Sequence, residues 1–222
     1  MENTHIVARF DKQLDQLRTR VLEMGDLVGT QISDAGDLMQ AFDAEKAELL
    51  IAGDRRINGM QKSIHTKAER LIALRQPVAL DLRQALLPIN IAAELERIGD
   101  HAKSTAKRAG LLAEASQGQV PENLQRMSGL IQIMLTGVML AYKGGDTELA
   151  AEIRMRDREV DTMNKIVFEK ALLAVRQSPE NAEPYIHAIL LARSFERVGD
   201  HIVNIARHVH QIVTGEDLKT AQ

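Results

Sequence analysis

The sequence predicts an all-α protein built as two tandem three-helix bundles, and three observations carry that prediction. Its apolar content comes from Ala, Leu, Ile and Met, with aromatic residues at only 3% and no Trp, a mixture that favours helix over sheet. Only five prolines interrupt 222 residues, leaving stretches long enough for helices well above the usual globular length. The chain also repeats itself. Ala92, Glu96, Arg97, Gly99, Asp100, His101 and Ala106 recur 100 positions later as Ala192, Glu196, Arg197, Gly199, Asp200, His201 and Ala206, with Ile98/Val198 and Lys107/Arg207 as close exchanges.

A second register, at an offset of 103, matches Met24, Leu27, Glu45, Ala47, Asp54, Arg55, Ile57, Asn58 and Met60 to Met127, Leu130, Glu148, Ala150, Asp157, Arg158, Val160, Asp161 and Met163. The registers differ by three residues, so the second copy carries a short deletion between the matched regions. A turn tolerates that best. Helical periodicity and punctuation predict helices over 7–41, 44–75 and 78–113 in the first copy, the third opening after Gln76-Pro77. In the second copy they are predicted over 121–143, 146–177 and 182–214, parted by Gly144-Gly145 and Ser178-Pro179. The Ser-, Gln- and Gly-containing segment 115–121 reads as the linker, which gives a first bundle over 1–114 and a second over 121–216. Two bundles are expected rather than a single six-helix bundle.

Composition removes several function classes. With no cysteine, disulfides, thiolate nucleophiles and sulfur-ligated metals are excluded, a metal has to be held by oxygen or imidazole, and a reducing cytoplasm is the natural home. The N-terminal fifteen residues carry Glu2, His5, Arg9, Asp11 and Lys12 and lack a signal-peptide core. No stretch is expected to reach the roughly 18 apolar residues of a membrane span. A formal net charge of −3 argues against nucleic acid as a partner.

At 100° per residue, Leu80, Leu87, Ile91, Leu95, Ile98, Ala102 and Ala109 form one stripe of the third helix; Leu191, Phe195, Val198, Ile202 and Val209 repeat it in the sixth. These stripes should face the core. Glu96 and Asp100, and likewise Glu196 and Asp200, stack four residues apart on a face well over 90° away, so they point outward. Asp54 with Asn58, and Asp157 with Asp161, have the same spacing on the preceding helices. Adjacent helices can thus bring four oxygen-bearing side chains together in each copy. Like charges at i, i+4 destabilise a helix by roughly 0.2–0.5 kcal/mol, a sign that a cation reverses. Clustered carboxylates suit magnesium or calcium, and manganese or iron in oxygen-rich sites. The plainer reading is a solvated face on which Arg97 bridges to Asp100. Gly99 and Gly199 each cost about 1 kcal/mol in a helix interior relative to Ala, so they must permit close approach or an unobstructed cluster.

Weaker features are read as follows. His101 and His201 diverge from the carboxylate face and read as polar boundary residues; His65, His187, His208 and His210 match no ligand spacing. Met134, Met139, Met155 and Met163 read as core filler. Asp81 and Arg83 form either a helix-start pair or a contact surface.

Taken together, Met24-Gly25, Asp54-x-x-x-Asn58, Arg75-Gln76-Pro77 followed by Asp81-Leu82-Arg83, and Leu95-Glu96-Arg97-Ile98-Gly99-Asp100 resemble the PhoU family of phosphate-transport regulators, as do Asp157-x-x-x-Asp161 and the run from Ala192 to Asp200. The resemblance covers nearly the whole chain. It implies pseudo-twofold symmetry between the bundles and metal ions held on the outer surface by Asp54, Asn58, Glu96 and Asp100 in one copy and Asp157, Asp161, Glu196 and Asp200 in the other, with Mg, Mn or Fe as candidates. It also implies a cytoplasmic, non-enzymatic negative regulator of the phosphate-starvation response and of phosphate uptake. Its implied partners are the phosphate transporter ATPase subunit, a sensor histidine kinase and a second copy of itself, with no insertion into the membrane. Two departures stand out: Asn58 replaces an acid in the first copy, and Ser178-Pro179-Glu180-Asn181 does not repeat the Pro77 to Arg83 run.

The rival reading is a carboxylate-bridged metal enzyme or iron store. Such bundles need inward-facing ligands with Glu-x-x-His on two core helices, and the spacing of note here is Glu2-Asn-Thr-His5, at a terminus.

Overall fold

The computed structural model describes residues 2–116 and 122–216. It consists of α1 (Glu2–Gln40), α2 (Ala44–Arg75), α3 (Ala79–Ser116), α4 (Glu122–Gly144), α5 (Thr147–Gln177) and α6 (Ala182–Thr214), with one 3-10 turn at Pro179–Asn181 ahead of α6. Among the described residues there is no strand. The starts of α2 and α5 are set by side-chain caps that themselves repeat at the offset of 103. Asp43 accepts from the Glu45 and Lys46 amides at 2.9 and 3.1 Å, and Asp146 accepts from the Leu149 amide at 2.9 Å, each cap contributing about 1 kcal/mol. α2 stops where Gln76 turns into the left-handed region at φ 46 and donates to the Ile72 carbonyl.

The three-residue deletion falls in a turn. Arg75 corresponds to Ser178 in one register and Ala79 to Pro179 in the other, so residues 76–78, which separate α2 from α3, have no counterpart. The chain passes directly from the end of α5 into the 3-10 turn. Of the predicted linker, 115–116 belong to α3, and the rest lies outside the described residues.

Among the described residues α2 packs only on α1 and α3, and α5 only on α4, α6 and the 3-10 turn. Each outer helix is therefore confined to its own three-helix unit. The units join along α3 with α6 and α1 with α4, and through these contacts one hydrophobic core runs unbroken from Val21, Met24 and Ile57 to Met134, Val160 and Phe195. The predicted stripes and the methionines expected as core filler face it, with two corrections. Leu80, in the first turn of α3, is 53% exposed, and Met155 is 56% exposed. Met155 lies about 200° round α5 from the buried Ile153, on the opposite side of the helix. Among the described residues α4 is the one helix long and apolar enough to cross a membrane by length and composition; 56% of its apolar window is buried inside the bundle, the pattern of a core helix.

Candidate functional site

The two signature glycines are where neighbouring helices close on α3 and α6. A Cβ on Gly99 would lie 2.9 Å from Ile57 Cδ1, and one on Gly199 would lie 2.5 Å from Asp157 Oδ1. Each glycine thus removes the one atom that would push the acidic flank of α2 or α5 away, which brings Asp54 beside Glu96 and Asp100, and Asp157 beside Glu196 and Asp200.

In the first copy the cluster is already neutralised. Asp54 is 3% exposed, and its Oδ2 accepts from Lys103 Nζ at 2.7 Å and from Asn58 Nδ2 at 3.3 Å. That hydrogen bond, together with the charges of Asp54 and Asp100, holds the Lys103 ammonium above its ordinary pKa. Asp54 Oδ1 and Asn58 Oδ1 are buried without a hydrogen-bond partner among the described residues. On the solvent side Arg97 reaches Glu96 at 3.7 Å and Asp100 at 4.0 Å, the bridge expected of a solvated face. Burial raises the Glu96 pKa, and Asp100 and Asp54 raise it further.

The second copy lacks this inserted lysine, and arginines face its acids instead. Val203 stands at the position of Lys103, and Asp161 replaces Asn58. Burial, then Asp161, Asp200 and Glu196, pushes the Asp157 carboxyl up to about 7; burial, then Asp200 and Asp161, raises Glu196. All four carboxylates therefore act on one another. Asp157, Glu196 and Asp200 line an open cavity of about 600 Å³ ringed by Arg193, Arg197 and Arg207; Asp161 acts on the group without lining it. Among the described residues no three acidic or imidazole side chains converge to ligand distance, as mutual repulsion dictates for bare carboxylates. An all-oxygen donor set and a carboxylate seated over Gly199 fit a hard cation in this copy, where arginines at the rim rather than an inserted lysine face the acids. In the first copy Lys103 supplies the cation, so the donor set fits a metal only if that ammonium moves aside.

Sequence reasoning missed the polar seam between α3 and α6. His201 Nδ1 lies 2.7 Å from Glu94 Oε2, to which Asn204 Nδ2 also donates at 3.4 Å. Its counterpart under the shift of 100 is His101 Nδ1 at 3.4 Å from Ser194 Oγ, and the two imidazole rings meet at 5.6 Å between the repeats. Contacts that exchange when the repeats are exchanged are what a pseudo-twofold relation requires. A signal was present: Glu94 and His101, and Ser194 and His201, are seven residues apart and so share a helix face. Of the Glu2/His5 spacing, the side chains lie outside the described residues.

The PhoU domain model matches residues 21–109 and 124–209, one match per three-helix unit. The chain belongs to the PhoU family. It is 37% identical over 215 residues to the phosphate-specific transport system accessory protein PhoU homologue of Caulobacter vibrioides, covering 96% of this chain and 94% of that protein. It is 33% identical over 219 residues to the PhoU accessory protein of Escherichia coli, covering 98% and 90%. The crystal structure of PhoU from Pseudomonas aeruginosa superposes with a TM-score of 0.88 at 31% identity, covering 93% of this chain and all of that one, and that of the phosphate transport system regulatory protein PhoU from Streptococcus pneumoniae with 0.86 at 29%, covering 95% and all.

Proposed function

We propose that this chain is a regulatory adaptor of phosphate transport: a cytoplasmic, non-enzymatic, dimeric protein that restrains phosphate uptake and the phosphate-starvation response when phosphate is plentiful. In this reading it links the ATPase subunit of a phosphate transporter to a sensor histidine kinase. The observation that carries it is the pair of PhoU repeats, one on each three-helix unit, in a chain that aligns nearly end to end with phosphate-transport accessory proteins. The reading extends to a metal, Mg, Mn or Fe, held by Asp157, Asp161, Glu196 and Asp200. Their repulsion supports that extension, since four close carboxylates of which one titrates near 7 gain most from a cation. The first-copy residues Asp54, Asn58, Glu96 and Asp100 take one only by displacing Lys103. A bound ion there would cross-link α5 to α6 and supply positive charge on the outer face, which stiffens the surface offered to partners.

Deleting the gene in its host should raise alkaline phosphatase expression and phosphate uptake in phosphate-rich medium. Unchanged levels of both would overturn the assignment.

A further inference from the structure

Between α3 and α6, on the His101 side of the seam, lies a cavity of about 230 Å³ whose charged lining is entirely cationic. Arg108, Arg193 and Arg197 contribute three guanidiniums; among the described residues no Asp or Glu lines the cavity or makes an ion pair with any of the three. Arg108 Nη1 lies 3.4 Å from the imidazole Nδ1 of His187. Ser104, Thr105 and Ser194 add hydroxyls. The buried Thr105 donates to Ser194 Oγ at 3.3 Å, and Ser194 Oγ in turn lies 3.4 Å from His101 Nδ1. Arg193 and Arg197 also feel the charge of Glu196 on their other side, but the cavity itself holds no carboxylate, and planar guanidinium forks match tetrahedral oxyanions.

The molecule carries its own template for what belongs there. Exchange of the repeats maps Ser194 onto Glu94, His101 onto His201, Ser104 onto Asn204 and Arg108 onto His208. On that other side of the seam the Glu94 carboxylate fills the equivalent place, bound to His201 and Asn204 and drawn on by the charge of His208. Where the chain has Ser194 the side chain is shorter and uncharged, and the surrounding cations are stronger. The geometry points to a binding site for a small oxyanion of the phosphate class, seated where Glu94 seats its carboxylate in the pseudo-equivalent position.

The test is a titration of the full chain with inorganic phosphate in EDTA, followed by calorimetry and by ³¹P line broadening, so that binding is read without any metal. One saturable site per chain is expected. Arg108→Gln and Arg193→Gln should each weaken it by about tenfold or more, whereas Arg126→Gln, whose guanidinium pairs with Glu122 on α4, should not. Ser194→Glu should abolish it, because the new carboxylate would occupy the site as Glu94 does opposite; unchanged circular dichroism would show that this variant folds. Sulfate in competition supports the oxyanion class. Absence of saturable binding up to about 10 mM phosphate, retention of full affinity in Ser194→Glu, or equal losses in Arg126→Gln overturns the proposal.

Discussion

Lys103 holds its ammonium 2.7 Å from the buried carboxylate of Asp54, while the second copy has Val203 at the matching position. Among the described residues Asp157 makes no ion pair, and Arg207 acts on it only from the cavity rim. The repeats share their acidic letters and differ in whether the cation is built in. Metal binding should therefore be asymmetric. Titration of the metal-free chain with Mn²⁺ should give one tight class of site, lost in an Asp157→Ala/Asp161→Ala variant and kept in Asp54→Ala. The pair Lys103→Val/Asn58→Asp should add a second class. Two equal classes in the unmodified chain would refute the asymmetry.

Removing Lys103 alone should also destabilise the metal-free chain, because a buried carboxylate loses its partner. The loss should be about 3 kcal/mol, at the lower end for a broken buried pair since Lys103 is 30% exposed. Urea unfolding of Lys103→Met in EDTA reads it directly; a change under about 0.5 kcal/mol, the range of ordinary surface substitutions, would show that Asp54 is satisfied some other way.

Asp157 sets a pH dependence whose sign can be worked out. Its folded pKa, about 7, exceeds the unfolded value near 4, so between these the folded state binds more protons and stability falls as pH rises. The cost is complete above pH 7. After allowance for solvent screening it is on the order of 1–2 kcal/mol, or roughly 2–8 °C in Tm. The raised Glu96 and Glu196 act in the same direction. Thermal melts in EDTA from pH 4.5 to 8 should show Asp157→Asn matching the unmodified chain at the acid end and exceeding it at the other. Saturating Mn²⁺ should erase the difference in the unmodified chain's favour.

Gly199→Ala isolates the geometry of the site from its charge. Alanine gains about 1 kcal/mol of helix propensity, yet its Cβ would sit 2.5 Å from Asp157 Oδ1 and turn that carboxylate away. Mn²⁺ affinity should fall at least about tenfold, a loss of some 1.4 kcal/mol, with the melting temperature nearly unchanged. Gly99→Ala meets Ile57 Cδ1 at 2.9 Å instead and should leave metal binding alone. Equal effects of the two substitutions would contradict the assignment of Asp157.

The Glu94 to His201 contact joins the two repeats, and a double-mutant cycle with Glu94→Gln and His201→Ala should give a coupling of about 1 kcal/mol at pH 6. Burial raises the Glu94 pKa, but the hydrogen bond and charge of His201 outweigh it and leave it lowered. Its contribution is therefore present above the unfolded value of about 4.3 and lost as pH falls through the folded one. Additive single effects would remove the contact from the account.

Much of the fold was legible because its signals are local. A period of 3.6 residues placed Ile91, Leu95 and Ile98 in the core and Glu96 and Asp100 outside it, and a cap, a turn or a Gly ends each helix within a few residues of the chain that encodes it. Leu80 was misplaced because a stripe marks a direction on a helix and not where the facing helix ends. Met155 was misplaced because residue type was weighed above angular position on α5. The deletion in the turn at 76–78 was readable for a different reason: two copies in one chain calibrate each other.

The sequence by itself determined six helices, the duplication, the core stripes and which acidic side chains share a face, since all of these follow from spacing along a single element. Only the tertiary structure decided which charges meet. Lys103 reaches Asp54 across 49 residues and His201 reaches Glu94 across 107, and such distances are closed by helix packing, about which spacing within one helix carries no information. Electrostatic energy depends on separation in space, so the same acidic spacing has its buried carboxylate paired with a lysine in one repeat and is faced by arginines at a cavity rim in the other.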